Sequence, residues 1–137
     1  MEKIKRDKNR VDIANLKAED ISGEELTGGY IVKIDKTTGS GGSGWYSHYK
    51  NSMEKTTYFQ YEEPESDEIK PEEEQYIQNC FHDFETAVYN KNFDPENGYQ
   101  KYIDINSFMD YMIINEISKN VDGYRLSAFS IKIKMRE

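Results

Sequence analysis

Hydrophobic and polar positions along the chain follow two periods, and each marks its own elements. Arg10-Val11-Asp12-Ile13-Ala14 alternates over five residues, which predicts a short strand. Gly28-Gly29-Tyr30-Ile31-Val32-Lys33-Ile34-Asp35 predicts a second strand, entered through a glycine turn. Thr56-Thr57-Tyr58-Phe59-Gln60-Tyr61 alternates aromatic and polar residues and predicts a third. The period then lengthens. Ile77, Cys80, Phe81, Phe84 and Val88 fall on one face of a helix running from Pro71 to about Asn90. Pro71 suits the first helical position, and Glu72, Glu73 and Glu74 complement the positive end of the helix dipole. A second helix is predicted from about Ile105 to Lys119, with Asp104 as its cap. Phe108, Met109, Met112, Ile113, Ile114 and Ile117 make it apolar nearly all round, the pattern of a buried central helix. The tail, Phe129-Ser130-Ile131-Lys132-Ile133-Lys134-Met135, returns to strict alternation and predicts a half-exposed strand. Strands, two helices and a further strand predict an α+β fold, a small antiparallel sheet packed on two main helices.

Composition sharpens this picture. The 137 residues predict a single domain, 1–137. Hydrophobic residues are 36% and charged residues 32%, so apolar material is limited, but 11 Tyr, 6 Phe and 1 Trp bring large buriable area. Residues 38–55 are predicted to be a flexible Gly/Ser-rich loop and its flank; 39–44 fit a natural loop or an engineered linker equally. The net charge of −8 is concentrated in residues 61–75, where eight acids face Lys70 alone, a solvated loop and helix start. That balance argues against nucleic acid as a partner. No apolar run approaches the ~18 residues of a membrane span. Met1-Glu2-Lys3-Ile4-Lys5-Arg6 lacks the apolar stretch of a signal peptide, and none is expected. Cys80, the single cysteine, excludes an intrachain disulfide and a thiolate zinc cluster, and it falls where a small buried hydrophobe belongs.

Candidate chemistry is confined to one stretch. Residues 39–44 lack the Lys-Ser/Thr and the helix that make a phosphate loop. His48 and His82 have no metal-ligand spacing, and His82 diverges from Cys80 two positions away on a helix. At the end of the second helix, however, Asn115-Glu116-Ile117-Ser118-Lys119-Asn120-Val121-Asp122-Gly123-Tyr124-Arg125 gathers polar residues beside an apolar run. Two readings fit. Asp122 before Gly123 can sit in a tight turn and project a carboxylate that, with Glu116 or Asn120, holds a metal or takes a proton from a hydroxyl. Alternatively the stretch is a helix terminus, with Asn120 and Gly123 as stop signals, Lys119 on the dipole and Asp122 capping a turn.

Three blocks, Lys8-Asn9-Arg10-Val11-Asp12-Ile13, Thr27 to Asp35 and Asn115 to Ser127, resemble the CotH kinase family, atypical protein kinases named for a spore-coat protein. The resemblance covers essentially the whole chain. It implies ATP-dependent phosphorylation of Ser/Thr in a protein substrate, with Mg or Mn, on a kinase-like fold. Phosphoryl transfer recurrently uses a Lys on the phosphates, a Glu that holds it, an Asp at the attacking hydroxyl and a metal-binding Asp. The resemblance implies that Asp122 is the catalytic-loop aspartate, that Asn120 and Arg125 flank it in cofactor binding, and that Glu2 is the Glu closing the family's preceding strand. Its phosphate-binding Lys is expected before residue 1 and its second metal Asp, in a Trp-Asp pair, after residue 137; Trp45 is followed by Tyr46. The chain is therefore expected to be an internal, partial kinase segment, inactive by itself, with no tightly bound cofactor and prone to self-association. The parent is expected in the cell envelope, secreted or in the spore coat. The alternative is a non-catalytic structural or binding module of the envelope or coat, carbohydrate-associated if its Tyr residues and Trp45 stack on sugars.

Overall fold

The computed structural model describes residues 4, 7–9, 11–17, 19–37, 43–124 and 126–132. Four strands, β1 (Tyr30–Ile34), β2 (Gly44–Lys50), β3 (Thr56–Glu63) and β4 (Ala128–Lys132), form one antiparallel sheet in the order β2-β3-β1-β4. Between β3 and β4 the chain makes two main helices, α1 (Pro71–Tyr89) and α2 (Ile105–Ser118). Two short 3-10 turns, Gly23–Thr27 and Tyr99–Lys101, complete the elements. The class is α+β with a small antiparallel sheet, as the pattern predicts.

Alternation decides which sheet face becomes the core. Tyr30 and Val32 of β1 and Phe59 and Tyr61 of β3 share one face and close around Ile77 of α1, which is fully buried. Trp45, Tyr76 and Phe81 pack around this cluster; Trp45 meets Phe59, Tyr61 and Phe81 at ring-centroid distances of 5.2, 5.1 and 5.6 Å. Polar bonds then fix α1 on the sheet. Ser47 donates to Glu85 Oε1 (2.6 Å), Tyr49 and Thr86 share a hydroxyl bond (2.7 Å), and Gln78 Nε2 donates to the Tyr61 hydroxyl (2.7 Å). At the helix start, Glu73 is buried and its Oε2 accepts from the Lys70 backbone N–H (2.7 Å), satisfying a donor just outside Pro71. On the opposite sheet face Lys33 and Glu62 form an ion pair at 2.7 Å, with side chains 17% and 8% exposed.

Two differences from the sequence pattern along the strands have physical reasons. Residues 11–14 are not a strand: Val11 makes an isolated bridge and the segment lies across the start of β1. There Gly29, at φ +95°, is so close to the Ala14 carbonyl that a Cβ would stand 2.5 Å from it. Residues 44–50, the flank of the glycine-rich stretch, are an edge strand, because β3 pairs with them and α1 bonds their side chains. The predicted strand beyond Lys132, and residues 38–42 of the glycine-rich loop, lie outside the described residues.

The largest correction concerns α2. Its N-terminus is capped as expected, with the Ser107 N–H donating to Asp104 Oδ1 (3.1 Å). The helix is not buried. Phe108, Met109, Met112 and Ile113 are roughly half exposed, Ile114 is 65% exposed and Ile117 79%. The core face of the sheet is taken by α1, and α2 meets α1 through Phe108 against Phe84, at 6.1 Å between rings. Among the described residues no further layer covers it.

Candidate active site

Inverted burial marks the end of α2. Amid exposed isoleucines and methionines, the buried residue of this helix is an amide, Asn115, 5% exposed. Its Nδ2 donates to the Tyr111 carbonyl one turn back (2.9 Å), and its Oδ1 accepts from Asn120 Nδ2 (3.0 Å). The Asn115 carbonyl also accepts the Asn120 backbone N–H (3.0 Å). Both ends of the amide are thus spent in joining the helix to the loop that follows.

That loop is built from successive tight turns. Lys119 stops the helix in the left-handed region (φ 50°, ψ 39°), a position more often given to Gly or Asn. The Gly123 N–H donates to the Asn120 carbonyl (3.1 Å), and the Leu126 N–H to the Asp122 carbonyl (2.8 Å). Gly123 is needed for space. A Cβ there would overlap Asn115 Oδ1 and stand 2.8 Å from Asn120 Nδ2. Two tyrosines hold the loop from either side. Tyr111 donates its hydroxyl to the Gly123 carbonyl, and Tyr124 donates to Glu116 Oε1 (2.9 Å) and the Met112 carbonyl (3.3 Å). Their rings meet edge to face at 6.1 Å. Desolvation, with the bonded Glu116 carboxylate, raises the Tyr124 hydroxyl above its usual pKa range.

Asp122 therefore sits, partly buried, within a loop tied to the last two turns of α2. Of the four residues singled out from the sequence, the structure brings Asp122 and Asn120 into one bonded loop; Glu2 and Arg125 lie outside the described residues. One supporting residue, Tyr111, was missed, and Asn115, which opens the polar stretch, was given no role of its own. Their signal is faint, an aromatic hydroxyl and an amide four positions apart in one helix.

Other candidates resolve into packing. The rings of His48 and His82 lie 4.7 Å apart across β2 and α1, yet among the described residues no group of three or more His, Cys, Asp or Glu gathers as a metal site. Burial pushes the Cys80 thiol up, the opposite of the lowered pKa that activates a cysteine nucleophile. Trp45, partly buried, packs against the core cluster. Among the described residues, no helix is long and apolar enough to cross a membrane.

Residues 1–132 match the family model described as CotH kinase protein. No curated protein and no solved structure matches the chain.

Proposed function

The chain belongs to the CotH kinase protein family, and on that premise we propose that it carries the catalytic loop of an atypical protein Ser/Thr kinase. The supporting observation is the bonded loop at the end of α2, which fixes the backbone on both sides of Asp122. Asp122 is the residue that meets the acceptor hydroxyl of a protein substrate and takes its proton. The family resemblance assigns Asn120, Arg125 and Glu2 to cofactor binding beside it.

ATP with Mg or Mn, when bound, supplies the phosphoryl group and its charge compensation. The donor set described here does not fit that group by itself. Asp122 and Asn120 offer oxygens of the right hardness, but Mg or Mn completes its shell with phosphates and water, so these two would hold the ion only together with ATP, and among the described residues no group of three His, Cys, Asp or Glu gathers to hold it alone. The 137-residue chain is accordingly proposed to be a partial kinase site, inactive in isolation. The exposed apolar surface of α2 supports self-association as a second property of this segment.

Calorimetric titration with ATP and magnesium or manganese tests the reading. Weak binding, with Kd on the order of 1 mM and lost in Asp122→Ala, is expected, with no phosphate transfer to a protein acceptor. Measurable transfer by the isolated chain, abolished by Asp122→Ala, overturns its inactivity. Binding indifferent to Asp122→Ala overturns the role given to that residue.

A further inference from the structure

We propose that Asn115 is the positioning residue of this loop: it sets the orientation of the Asn120 amide, so that Asn120 turns an acceptor oxygen and not a donor away from α2. The selection starts at a group that has no choice. The Tyr111 carbonyl can only accept, so the end of the Asn115 amide facing it, at 2.9 Å, is Nδ2. The other end, Oδ1, can then only accept, and it selects Nδ2 of Asn120 at 3.0 Å. Asn120 Oδ1 is left as the end not engaged by Asn115, two residues before the Asp122 carboxylate. One helix carbonyl thus dictates, through two amides, that the loop offers oxygen acceptors at both positions.

Burial makes this selection firm. Asn115 is 5% exposed, so water does not readily replace a lost partner, and a flipped amide would set Nδ2 against the Asn120 Nδ2 donor group. The close approach of Gly123 to the same amide closes the space from the third side. It also explains why a helix that leaves its isoleucines exposed buries an amide. The loop so oriented suits a partner that donates, a hydroxyl or a cation, and disfavours a bare anion. What the oxygen of Asn120 serves rests on the kinase reading; its orientation does not.

Side-chain amide NMR of the chain, with selectively labelled asparagine, tests the relay. The Asn120 side-chain protons are expected to exchange with solvent about tenfold slower than those of an exposed amide, the factor a net hydrogen bond of roughly 1.4 kcal/mol confers. Asn115→Leu, similar in shape, should erase that protection. Asn115→Asp, which keeps the acceptor toward Asn120 but loses the donor toward the Tyr111 carbonyl, should retain part of it. An Asn120 amide that exchanges freely in the unsubstituted chain overturns the proposal without recourse to any variant. So does protection that survives Asn115→Leu. A second measurement concerns the use of the oxygen: Mg·ATP binding that is lost in Asp122→Ala should also fall about 10–100-fold in Asn115→Leu, as for other residues that orient a ligand, and recover in part in Asn115→Asp. Binding lost in the first variant but unmoved in the second overturns the positioning role. If the chain binds no Mg·ATP at all, the kinase reading is what fails, and amide exchange alone decides the relay.

Discussion

At Gly123 the absence of one carbon is what lets a loop close on a helix. A Cβ there would stand 2.6 Å from Asn115 Cγ, with the Asn120 amide also in its way. Gly123→Ala is therefore expected to lower stability by about 1–3 kcal/mol, the range of overpacking in a tight site. The cost should shrink in an Asn115→Ala background, because the clash and the amide it strikes are removed together. Urea unfolding of the two single variants, the double variant and the parent chain measures this coupling; strict additivity would show that the contact is not the cause. The Asp-Gly pair was legible in the sequence as a turn, but the reason for its glycine was not. Dihedral freedom is the usual ground for a turn glycine; here the ground is an amide eight positions earlier, which no local pattern announces. The left-handed residue that ends α2 is Lys119, one position before the Asn120 that the sequence offered as a stop signal.

At the level of elements, α1 was the most legible. Pro71, three glutamates and a 3.6-residue period gave its start and its end within one residue, because every signal was local. Its buried side is rotated slightly from the predicted stripe: Ala87 is buried and Val88 is 49% exposed. β2 was illegible because what makes Gly44–Lys50 a strand is supplied from elsewhere, by β3 and by Glu85 and Thr86 of α1. The Lys33–Glu62 pair between β1 and β3 belongs to this level too. Its carboxylate is nearly buried, so Glu62→Leu strands an ammonium in a poorly hydrated place and should cost about 3 kcal/mol. Replacing both partners, Lys33→Met with Glu62→Leu, should recover most of that loss. Thermal unfolding of the three variants checks it, and a double variant as unstable as the single one would refute the account.

Burial is settled at the scale of the whole molecule. The all-round apolar pattern of α2 was read correctly as a helix and wrongly as an interior one, since periodicity reports a face that wants cover without reporting what covers it. With Ile114 and Ile117 largely exposed, the chain should associate as its concentration rises. Light scattering should show the apparent mass growing with concentration, and Ile114→Lys with Ile117→Lys should suppress that growth while leaving helicity intact. A mass independent of concentration would count against it. The candidate site follows the same division: the turn that holds Asn120 and Asp122 was legible because its residues are contiguous in sequence, whereas Glu2 and Arg125 fall outside what the structure describes.

The placement of Trp45 determines what an optical experiment on this protein can see. As the chain's single tryptophan, enclosed by Phe59, Tyr61 and Phe81, it makes emission a reporter of the sheet and α1. The loop that holds Asp122 hangs from α2, which touches that assembly through Phe84 and Phe108. Tryptophan emission, excited apart from tyrosine, is therefore nearly blind to loosening at Asp122, while far-ultraviolet dichroism counts both helices. The two signals need not coincide during unfolding, and a gap between them would time the release of the loop separately from the loss of the core.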